Sequence, residues 1–485
     1  MRRGKSKQNI PGQGSLFDSS NKKLDSSSTN QTLCESNTQR NEIVLYPSNW
    51  LYNASVIGFL KVVAKGEGEY YVEKEILQDD GSVKLYLEIF KNTENIGNKS
   101  IPKSIKYLAE FLIEDEIERI KKEVEKIKKL KEKRQEQRQE QTDENKKKKG
   151  KKKEVNEKTA FEKFLENLGL DSNKIINNPE NLSDEEKLAC KFYFTGNILF
   201  SSDMPYQNLV QLNEWRNLEF SELISSMFIR NTTNLKCGLC GENIQEINTN
   251  SKLELRLTTF QHPHFPSLGP SINKFPNALW NLNNSLKICF LCSYLLIHNH
   301  LAFISSEGNS QIFINAPSFK LMWYLNRFAE RVISEGGKDL GKILGISLID
   351  LSQRVRATIG AWSLMNIEMV IRKKGKDKDT IDYYSLPYEI ASILLDKEIA
   401  SMIKQTDEPK VLEKILEGNF DYLLDLNYRI MRCLNNWKEK CDDAYISESE
   451  LKNRGDKEKL EYLTTLLPLL YVKISQRSIA ERRVL

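Results

Sequence analysis

Four cysteines stand out in this sequence because they form two pairs with identical spacing. Two residues separate Cys237 from Cys240, and two residues separate Cys289 from Cys292. Each CxxC pair can place two thiolates on one metal ion, and four sulfurs in a tetrahedron are typical ligands of a structural zinc ion. Such a site keeps no coordination position open for a substrate, so the pattern predicts a structural Zn²⁺ site and not a catalytic one.

The distance between the two pairs needs an explanation. The 48 residues between Cys240 and Cys289 exceed the roughly 15 to 20 residues of compact zinc ribbons, so we expect an inserted subdomain over residues 231–304. A redox-active CxxC and four unrelated buried cysteines are alternatives, but identical spacing favours the metal site. The remaining cysteines have no such spacing, and we expect them to stay reduced because no export signal precedes them. They are Cys34, Cys190, Cys433 and Cys441.

All the histidines of the chain lie in the same region as the CxxC pairs. They are His262, His264, His298 and His300. Their order relative to the cysteines is similar to that of HNH-type nucleases, which gives a metal-dependent nuclease as one alternative function. Ser293 directly follows the last cysteine, where a histidine would be expected, and residues 287–304 contain no acidic side chain for a second metal. Structural histidines are therefore the favoured interpretation.

The positive net charge has a local origin. The chain carries a formal charge of +5, but residues 118–158 alone contain 18 Lys/Arg against 10 Asp/Glu, so the remainder is slightly acidic. The mixed charges of this segment favour a solvated insertion, helical at first and then disordered, over a polybasic arm that binds phosphates. A nucleic-acid function must therefore depend on a particular patch.

A second basic segment, residues 354–378, could lie along a phosphate backbone. Its candidate contacts are Arg354, Arg356, Arg372, Lys373, Lys374 and Lys376. An ordinary exposed helix end and loop is an equal alternative, because Arg354 and Arg356 would point to different faces of a helix.

Composition and periodicity divide the chain into three parts. Residues 1–41 are polar and aperiodic, which predicts a disordered tail. Residues 42–314 predict an α+β domain that contains the charged insertion (118–158) and the zinc subdomain (231–304). Residues 315–485 predict an all-helical bundle of about five helices. No apolar run is long enough to span a membrane, and we expect a cytoplasmic protein.

Local patterns predict the elements within these parts. Ser48 or Asn49 can cap a helix, and a hairpin is expected between residues 70–77 and 83–90. Further helices are expected from Ser104 and from Ala160, and a strand over 253–257. In the C-terminal part, helices are predicted from Ser318 and over 347–371, 388–405, 420–437 and 457–474.

A longer motif carries a resemblance to a known family. The stretch Tyr46-Pro-Ser-Asn-Trp50-Leu-Tyr-Asn53-Ala-Ser-Val-Ile-Gly58-Phe-Leu60 is followed by the two CxxC pairs and a helical C-terminal half. Over residues 43–485 the chain resembles the CXXC-CXXC large subunits of type I-B CRISPR interference (Cascade) complexes. The tail and the Lys-rich insertion depart from that pattern.

The resemblance implies a non-enzymatic subunit of an RNA-guided antiviral complex. Such a subunit inspects target double-stranded DNA for the short flanking motif, holds the displaced strand, and helps recruit the separate helicase-nuclease. The expected partners are crRNA, the backbone subunits of the complex, the target DNA and the helicase-nuclease. A small helical subunit made from an internal start at Met322 or Met365 is also implied. A zinc-containing scaffold protein without a nucleic-acid role is the remaining alternative.

Overall fold

The structure covers a defined part of the chain. The computed structural model describes residues 42–482, except residues 92, 130–157, 200–231, 246–286, 307–309, 337–338, 355–366, 374–378, 438–440, 442–444, 448–449 and 453. The described residues belong to one compact unit, Gln39–Leu485. The predicted tail, most of the charged insertion and the expected strand at 253–257 lie outside them.

The first elements are two antiparallel strand pairs and eight helices. The strands β1 (Glu42–Leu45) and β2 (Val83–Tyr86) form one pair, and β3 (Thr93–Ile96) and β4 (Lys99–Pro102) form the other. The helices are α1 (Trp50–Glu67), α2 (Glu69–Tyr71) with a π-helical turn (Val72–Ile76), α3 (Glu88–Lys91), α4 (Lys103–Leu112), α5 (116–129), α6 (Ala160–Asn167), α7 (Ser172–Asn177) and α8 (Asp184–Leu199).

The predicted hairpin between residues 70–77 and 83–90 is wrong in its first half and too long in its second. Strand β2 keeps the predicted alternation but ends at Tyr86, and helix α3 begins at Glu88. The partner of β2 is β1, with Ile43 opposite Leu85. Residues 69–76 are helical instead, because Val72 and Ile76 are four residues apart and both lie fully buried on one helical face. Leu77 keeps a single bridge to Val83.

A segment that contains the four CxxC cysteines and a four-stranded antiparallel sheet follow. The segment contains the strands β5 (Thr232–Lys236) and β6 (Asn243–Gln245) and the short helices α9 (Phe290–Leu296) and α10 (Asn299–Ala302). The sheet has the order β10-β9-β8-β7 and consists of β7 (Ile304–Ser305), β8 (Ser310–Asn315), β9 (Glu368–Lys373) and β10 (Thr380–Ser385).

This sheet corrects the prediction of an all-helical region after residue 315. The predicted helix over 347–371 ends at Arg354 within the described residues, and Glu368 begins strand β9. Strand β9 lies between β8 and β10, so Met369, Val370 and Ile371 are all buried. A continuous apolar run of this length does not distinguish a buried strand from a buried helix.

The rest of the C-terminal region is helical, which confirms the main prediction of the α+β class with a helical C-terminal part. Its helices are α11 (Phe319–Ser334), α12 (Leu340–Arg354), α13 (Tyr388–Leu395), α14 (Lys397–Thr406), α15 (Pro409–Leu416), α16 (Asp421–Asn435) and α17 (Lys457–Arg482). The predicted helix over 388–405 is divided at Asp396, which ends α13 and caps α14 by accepting hydrogen bonds from Glu398 N and Ile399 N. No described helix has the length and apolar character needed to cross a bilayer.

Two cysteines that we expected to stay reduced are joined in the structure. Cys433, in the last turn of α16, forms a disulfide with Cys441, and both residues are buried. The bond connects α16 to the segment that leads into α17. Their sequence separation of 8 residues follows no metal-ligand pattern, so spacing alone provided no reason to pair them.

Helix α1 packs against elements from distant parts of the chain. Every residue from 51 to 60 is buried, so the helix has no solvent-exposed face over this stretch. It packs against α4, α9, α10, α11 and β8. Gly58 allows the closest of these approaches, because a Cβ atom added at this position would lie 2.0 Å from the carbonyl oxygen of His298.

We predict that Gly58→Ala destabilises the protein by about 1–3 kcal/mol, because α1 and the chain at His298 must move apart to admit the methyl group. Thermal denaturation of the full chain measures the effect. Gly455→Ala is the matched control, since a Cβ there meets no atom within 4 Å. Equal melting temperatures for the two variants would contradict the tight contact.

Candidate metal centre

The first CxxC turn (residues 237–240) lies between the antiparallel strands β5 and β6. Cys237 N donates to the carbonyl of Glu242 at 2.8 Å, and Gly241 N donates to the carbonyl of Cys237 at 2.9 Å. Gly241 has a φ of +77°, a conformation that glycine adopts without a Cβ clash. The tight turn therefore brings both sulfurs to the same side.

The second CxxC turn (residues 289–292) forms the start of α9. Cys289 is the N-cap, and its sulfur accepts a hydrogen bond from Cys292 N at 3.4 Å. The two turns are also connected directly, since Cys289 N donates to the sulfur of Cys237 at 3.3 Å and Gly238 N donates to Lys287 O at 2.7 Å.

The structure brings the four predicted ligand sulfurs together. All four lie within 4.8 Å of one another, and the sulfurs of Cys240 and Cys289 are 3.8 Å apart. A regular tetrahedron with metal–sulfur bonds of about 2.3 Å has edges of about 3.8 Å. Cys240 is half-buried and the other three are buried. The residues present thus fit a four-coordinate metal ion with no position left for a substrate.

The electrostatics of the cluster depend on whether a cation is bound. The pKa of Cys237 is lowered well below its ordinary value, chiefly because the neighbouring thiols can hydrogen-bond to its thiolate. Burial raises the pKa of Cys292 well above its ordinary value. Four thiolates can coexist in this space only when a positive ion balances them.

The motif around Trp50 connects this cluster to α1. Asn49 caps α1 by accepting from Tyr52 N at 3.0 Å, and its Nδ2 donates to Leu239 O in the first CxxC turn at 3.3 Å. Trp50 packs edge-on against Phe303, with ring centroids 6.3 Å apart. The sequence predicted the capping role but not the contact with Leu239, which lies 190 residues away.

Asn53 is a second residue of this motif whose role the sequence did not reveal. Its Oδ1 accepts from Ser48 N at 2.8 Å, and its Nδ2 donates to Asn315 Oδ1 at 2.8 Å. Asn315 Nδ2 in turn donates to a carboxylate oxygen of Glu368 at 3.0 Å. This network joins the beginning of α1 to strands β8 and β9.

The histidines give no support to a nuclease within the described residues. His262 and His264 lie outside them, and His300 is half-buried at the start of α10. His298 is fully buried between Phe59 and Tyr294, and its Nδ1 lies 3.2 Å from Tyr294 O. Burial lowers the pKa of His298 to about 3, so the ring is neutral and out of reach of a substrate.

The predicted nucleic-acid residues are only partly described. Arg356, Lys374 and Lys376 lie outside the described residues, and Arg354 ends α12. Arg372 is buried, and its Nε donates to Asp379 Oδ2 at 2.7 Å. Lys373 is exposed, and its Nζ lies 2.7 Å from Asp382 Oδ2. Arg372 therefore forms part of the sheet between β9 and β10, which favours a structural role for its guanidinium.

The fold and the site define a helix-rich α+β protein with a buried four-cysteine metal site. A family model described as CRISPR-associated protein (Cas_CXXC_CXXC) matches residues 230–303, a segment that contains all four cysteines. The match supports a CRISPR-associated protein family for this chain. Comparisons with the curated proteins and with the solved structures gave no match.

We predict that Cys292→Ser removes the bound metal and lowers the melting temperature, because the site loses a ligand and the two CxxC turns separate. Metal content per chain and thermal denaturation are the measurements. Cys190→Ser is the matched control, since Cys190 is also a buried free thiol but lies in α8. A variant at Cys292 with full metal content and unchanged stability would refute the site.

The buried histidine predicts a pH dependence of stability. The unfolded state takes up a proton near the ordinary pKa of 6.5, whereas folded His298 resists protonation until about 3, so the wild type loses stability as the pH falls between these values. In His298→Phe this contribution disappears. We expect the unfolding free energies of the two proteins to diverge by up to about 1.4 kcal/mol per pH unit over this window, with the wild type losing more. Parallel curves from urea titrations would rule out a buried neutral ring.

Proposed function

We propose that this protein is the non-enzymatic large subunit of a type I-B CRISPR interference complex, with Zn²⁺ as its structural metal. One observation carries the proposal: the four sulfurs converge in the segment that matches the CRISPR-associated CXXC family. Together with the resemblance around Trp50 and the helical C-terminal part, this favours a DNA-recognition subunit over a zinc-containing scaffold protein.

The metal has a positioning role in this proposal. Sulfur ligands in a tetrahedral arrangement are those that zinc prefers among the common divalent ions. The bound ion would hold the β5–β6 hairpin against α9, and Asn49 would transmit that position to the start of α1. With four protein ligands the ion has no site for water activation, so the proposal assigns DNA cleavage to the separate helicase-nuclease.

The duplex contact that we propose is a phosphate contact. Arg354, Arg356, Lys374 and Lys376 remain as candidates once Arg372 and Lys373 are assigned to the ion pairs with Asp379 and Asp382. Contacts of this kind position a duplex without reading its sequence. Flanking-motif inspection and strand holding would then depend on other groups of the subunit, and crRNA and the backbone subunits would complete the complex in the cytoplasm.

Exposed apolar side chains on two packed C-terminal helices support a helical partner. On α16 they have i, i+4 and i+7 spacing and are Leu424, Tyr428 and Met431. On α17 they lie on one side of the helix and are Tyr462, Leu469 and Val472. Such stripes fit another amphipathic helix, as expected of the proposed small subunit.

The packing of α12 supports one of the two internal starts for that subunit. Helix α12 packs against α13, α14 and α15, so a product that begins at Met365 would lose this shared core. A product that begins at Met322, within α11, would retain it. We therefore favour Met322, and mass spectrometry of the native complex reports the first residue of any such fragment.

We predict that replacing Arg356, Lys374 and Lys376 by Ala weakens binding to a target duplex and flattens its salt dependence. Each lost phosphate contact should reduce the slope of log K against log salt by about 0.9. Fluorescence anisotropy of the assembled complex at several salt concentrations measures both effects. Lys121, Lys122 and Lys126 of α5 provide a control with the same change of charge, since each already pairs with a glutamate.

Equal affinity and equal slope for the two triple variants would contradict the proposed patch. The same samples incubated with Mg²⁺ should leave the duplex intact when the helicase-nuclease is absent. Cleavage that disappears with His262→Ala and His264→Ala would favour the HNH-like nuclease instead.

A further inference from the structure

Helix α16 carries an exposed stripe of side chains with opposite charges at its two ends. Leu424, Tyr428 and Met431 form the apolar centre of the stripe, and each is between 40% and 56% exposed. Asp421 begins the helix and Arg432 lies in its last turn, and both are exposed. At 3.6 residues per turn these side chains fall within an arc of about 100°, so they share one face of the helix. We call this set of five residues the α16 stripe.

The guanidinium of Arg432 is held in place by two aromatic rings. Its Cζ atom lies 5.7 Å from the ring centroid of Tyr428 and 5.1 Å from that of Tyr445. Tyr445 is fixed in turn by Asn436, whose Nδ2 donates to the Tyr445 hydroxyl at 3.3 Å. In the described part of the chain no carboxylate pairs with Arg432. Its N–H donors can therefore bind an outside group, and the rings reduce the side-chain entropy that such binding would cost.

The carboxylate of Asp421 provides the opposite charge. The hydroxyl of Tyr471 donates to its Oδ1 at 3.3 Å, and no cation among the described residues forms an ion pair with it. A carboxylate accepts up to about four hydrogen bonds, so Asp421 can bind a guanidinium in addition to Tyr471. Asp421 and Arg432 are 11 residues apart, which is about 16 Å along a helix.

The charges beside the stripe disfavour a nucleic-acid ligand. Asp425 and Glu450 both pair with Arg429, at 2.9 Å and 2.7 Å, so this group keeps an excess of one negative charge. A phosphate backbone is bound by several cations along its path, and the stripe supplies only Arg432. Exposed Leu and Met side chains also suit a protein surface better than stacked bases. These observations favour a protein segment that combines an apolar face with charges.

The stripe is complementary to itself when two copies of α16 run antiparallel. The midpoint of Asp421 and Arg432 falls between residues 426 and 427, and that of Leu424 and Met431 falls between residues 427 and 428. One twofold axis near residue 427 therefore places each Arg432 opposite Asp421 of the other copy. The same axis places each Leu424 opposite Met431, and the two midpoints differ by only about 1.5 Å along the helix. In a parallel arrangement like charges would meet, which disfavours that alternative.

We propose that the α16 stripe binds the same stripe of a second copy of this sequence in an antiparallel, twofold-symmetric contact. The proposal identifies the helical partner of this face, and it rests on the proposed function only for the source of the second copy. Products that begin at Met322 or at Met365 both contain α16, so a small subunit from the same message would bring this stripe to the large subunit.

Charge reversal tests the contact, because twofold symmetry makes a specific demand on mixtures of variants. Arg432→Asp creates two like-charged pairs in the symmetric dimer, and Asp421→Arg does the same. We expect each variant of the full chain to dimerise at least about 10-fold more weakly than the wild type. In an equal mixture of the two variants every pair again joins opposite charges, so a heterodimer should form with nearly wild-type affinity. Analytical ultracentrifugation of the purified chains measures the dissociation constants.

Lys126→Asp is the matched control for Arg432→Asp. It makes the same change of charge at an exposed residue of α5, outside the stripe, and should leave the dissociation constant unchanged. Thermal denaturation of the variants measures their folding. Because Asp421 and Arg432 are both exposed, we expect the isolated variants to remain folded. Recovery of the dimer in the mixture provides a second demonstration that both variants are folded.

The outcomes distinguish this contact from other uses of the stripe. A wild-type chain that stays monomeric at high micromolar concentration would overturn the proposal, and so would a mixture of the two variants that does not dimerise. A dimer that neither reversal weakens would use another surface, which also refutes the proposal. A monomeric wild type whose Arg432→Asp variant loses affinity for single-stranded DNA would assign the stripe to nucleic acid instead. The isolated chain contains no crRNA or target DNA, so these results are independent of the DNA-recognition role.

Discussion

Side-chain amides of α1 itself and of other segments satisfy polar groups around the buried N-terminal end of this helix. Asn49 bonds to the first CxxC turn, Asn53 bonds to Asn315 on β8, and Asn299 Nδ2 donates to Leu51 O at 3.1 Å. An unsatisfied amide or carbonyl in this interior would cost about 1–3 kcal/mol. The N-terminal end of α1 therefore fixes the positions of the first CxxC turn, the sheet and α10.

For the proposed DNA-recognition subunit, this arrangement explains how a metal site without catalytic chemistry would matter. The two CxxC turns are 52 residues apart in sequence, and a bound ion would fix their separation where the local strand pair and the short helix α9 alone could not. Helix α1 is bonded to the first CxxC turn through Asn49 and to the sheet through Asn53. A displacement of the CxxC turns would therefore also displace strands β9 and β10.

The sequence predicts those features that depend on local spacing. The CxxC pairs, the cap at Asn49 and the apolar stripe of α11 all follow from residues a few positions apart, and the structure places them as predicted. The strand β9 could not be predicted in this way, because its burial depends on β8 and β10 on both sides. Arg372 can pair with Asp379 only when strands β9 and β10 come together. One residue of the basic cluster predicted from the sequence is therefore part of an internal ion pair.

The long separations in this fold bear on its synthesis. A ribosome that adds about 5 to 20 residues per second delivers β8 several seconds before β9, its central partner in the sheet. The first CxxC turn likewise emerges with two ligands only and must wait for Cys289 and Cys292. During this interval the nascent chain exposes a two-sulfur site and an unpaired strand edge, both of which can recruit wrong partners. With the proposed Zn²⁺ as the metal, metal supply and chain elongation are thus coupled in time, and the yield of folded protein should depend on the free zinc available while the chain is being made.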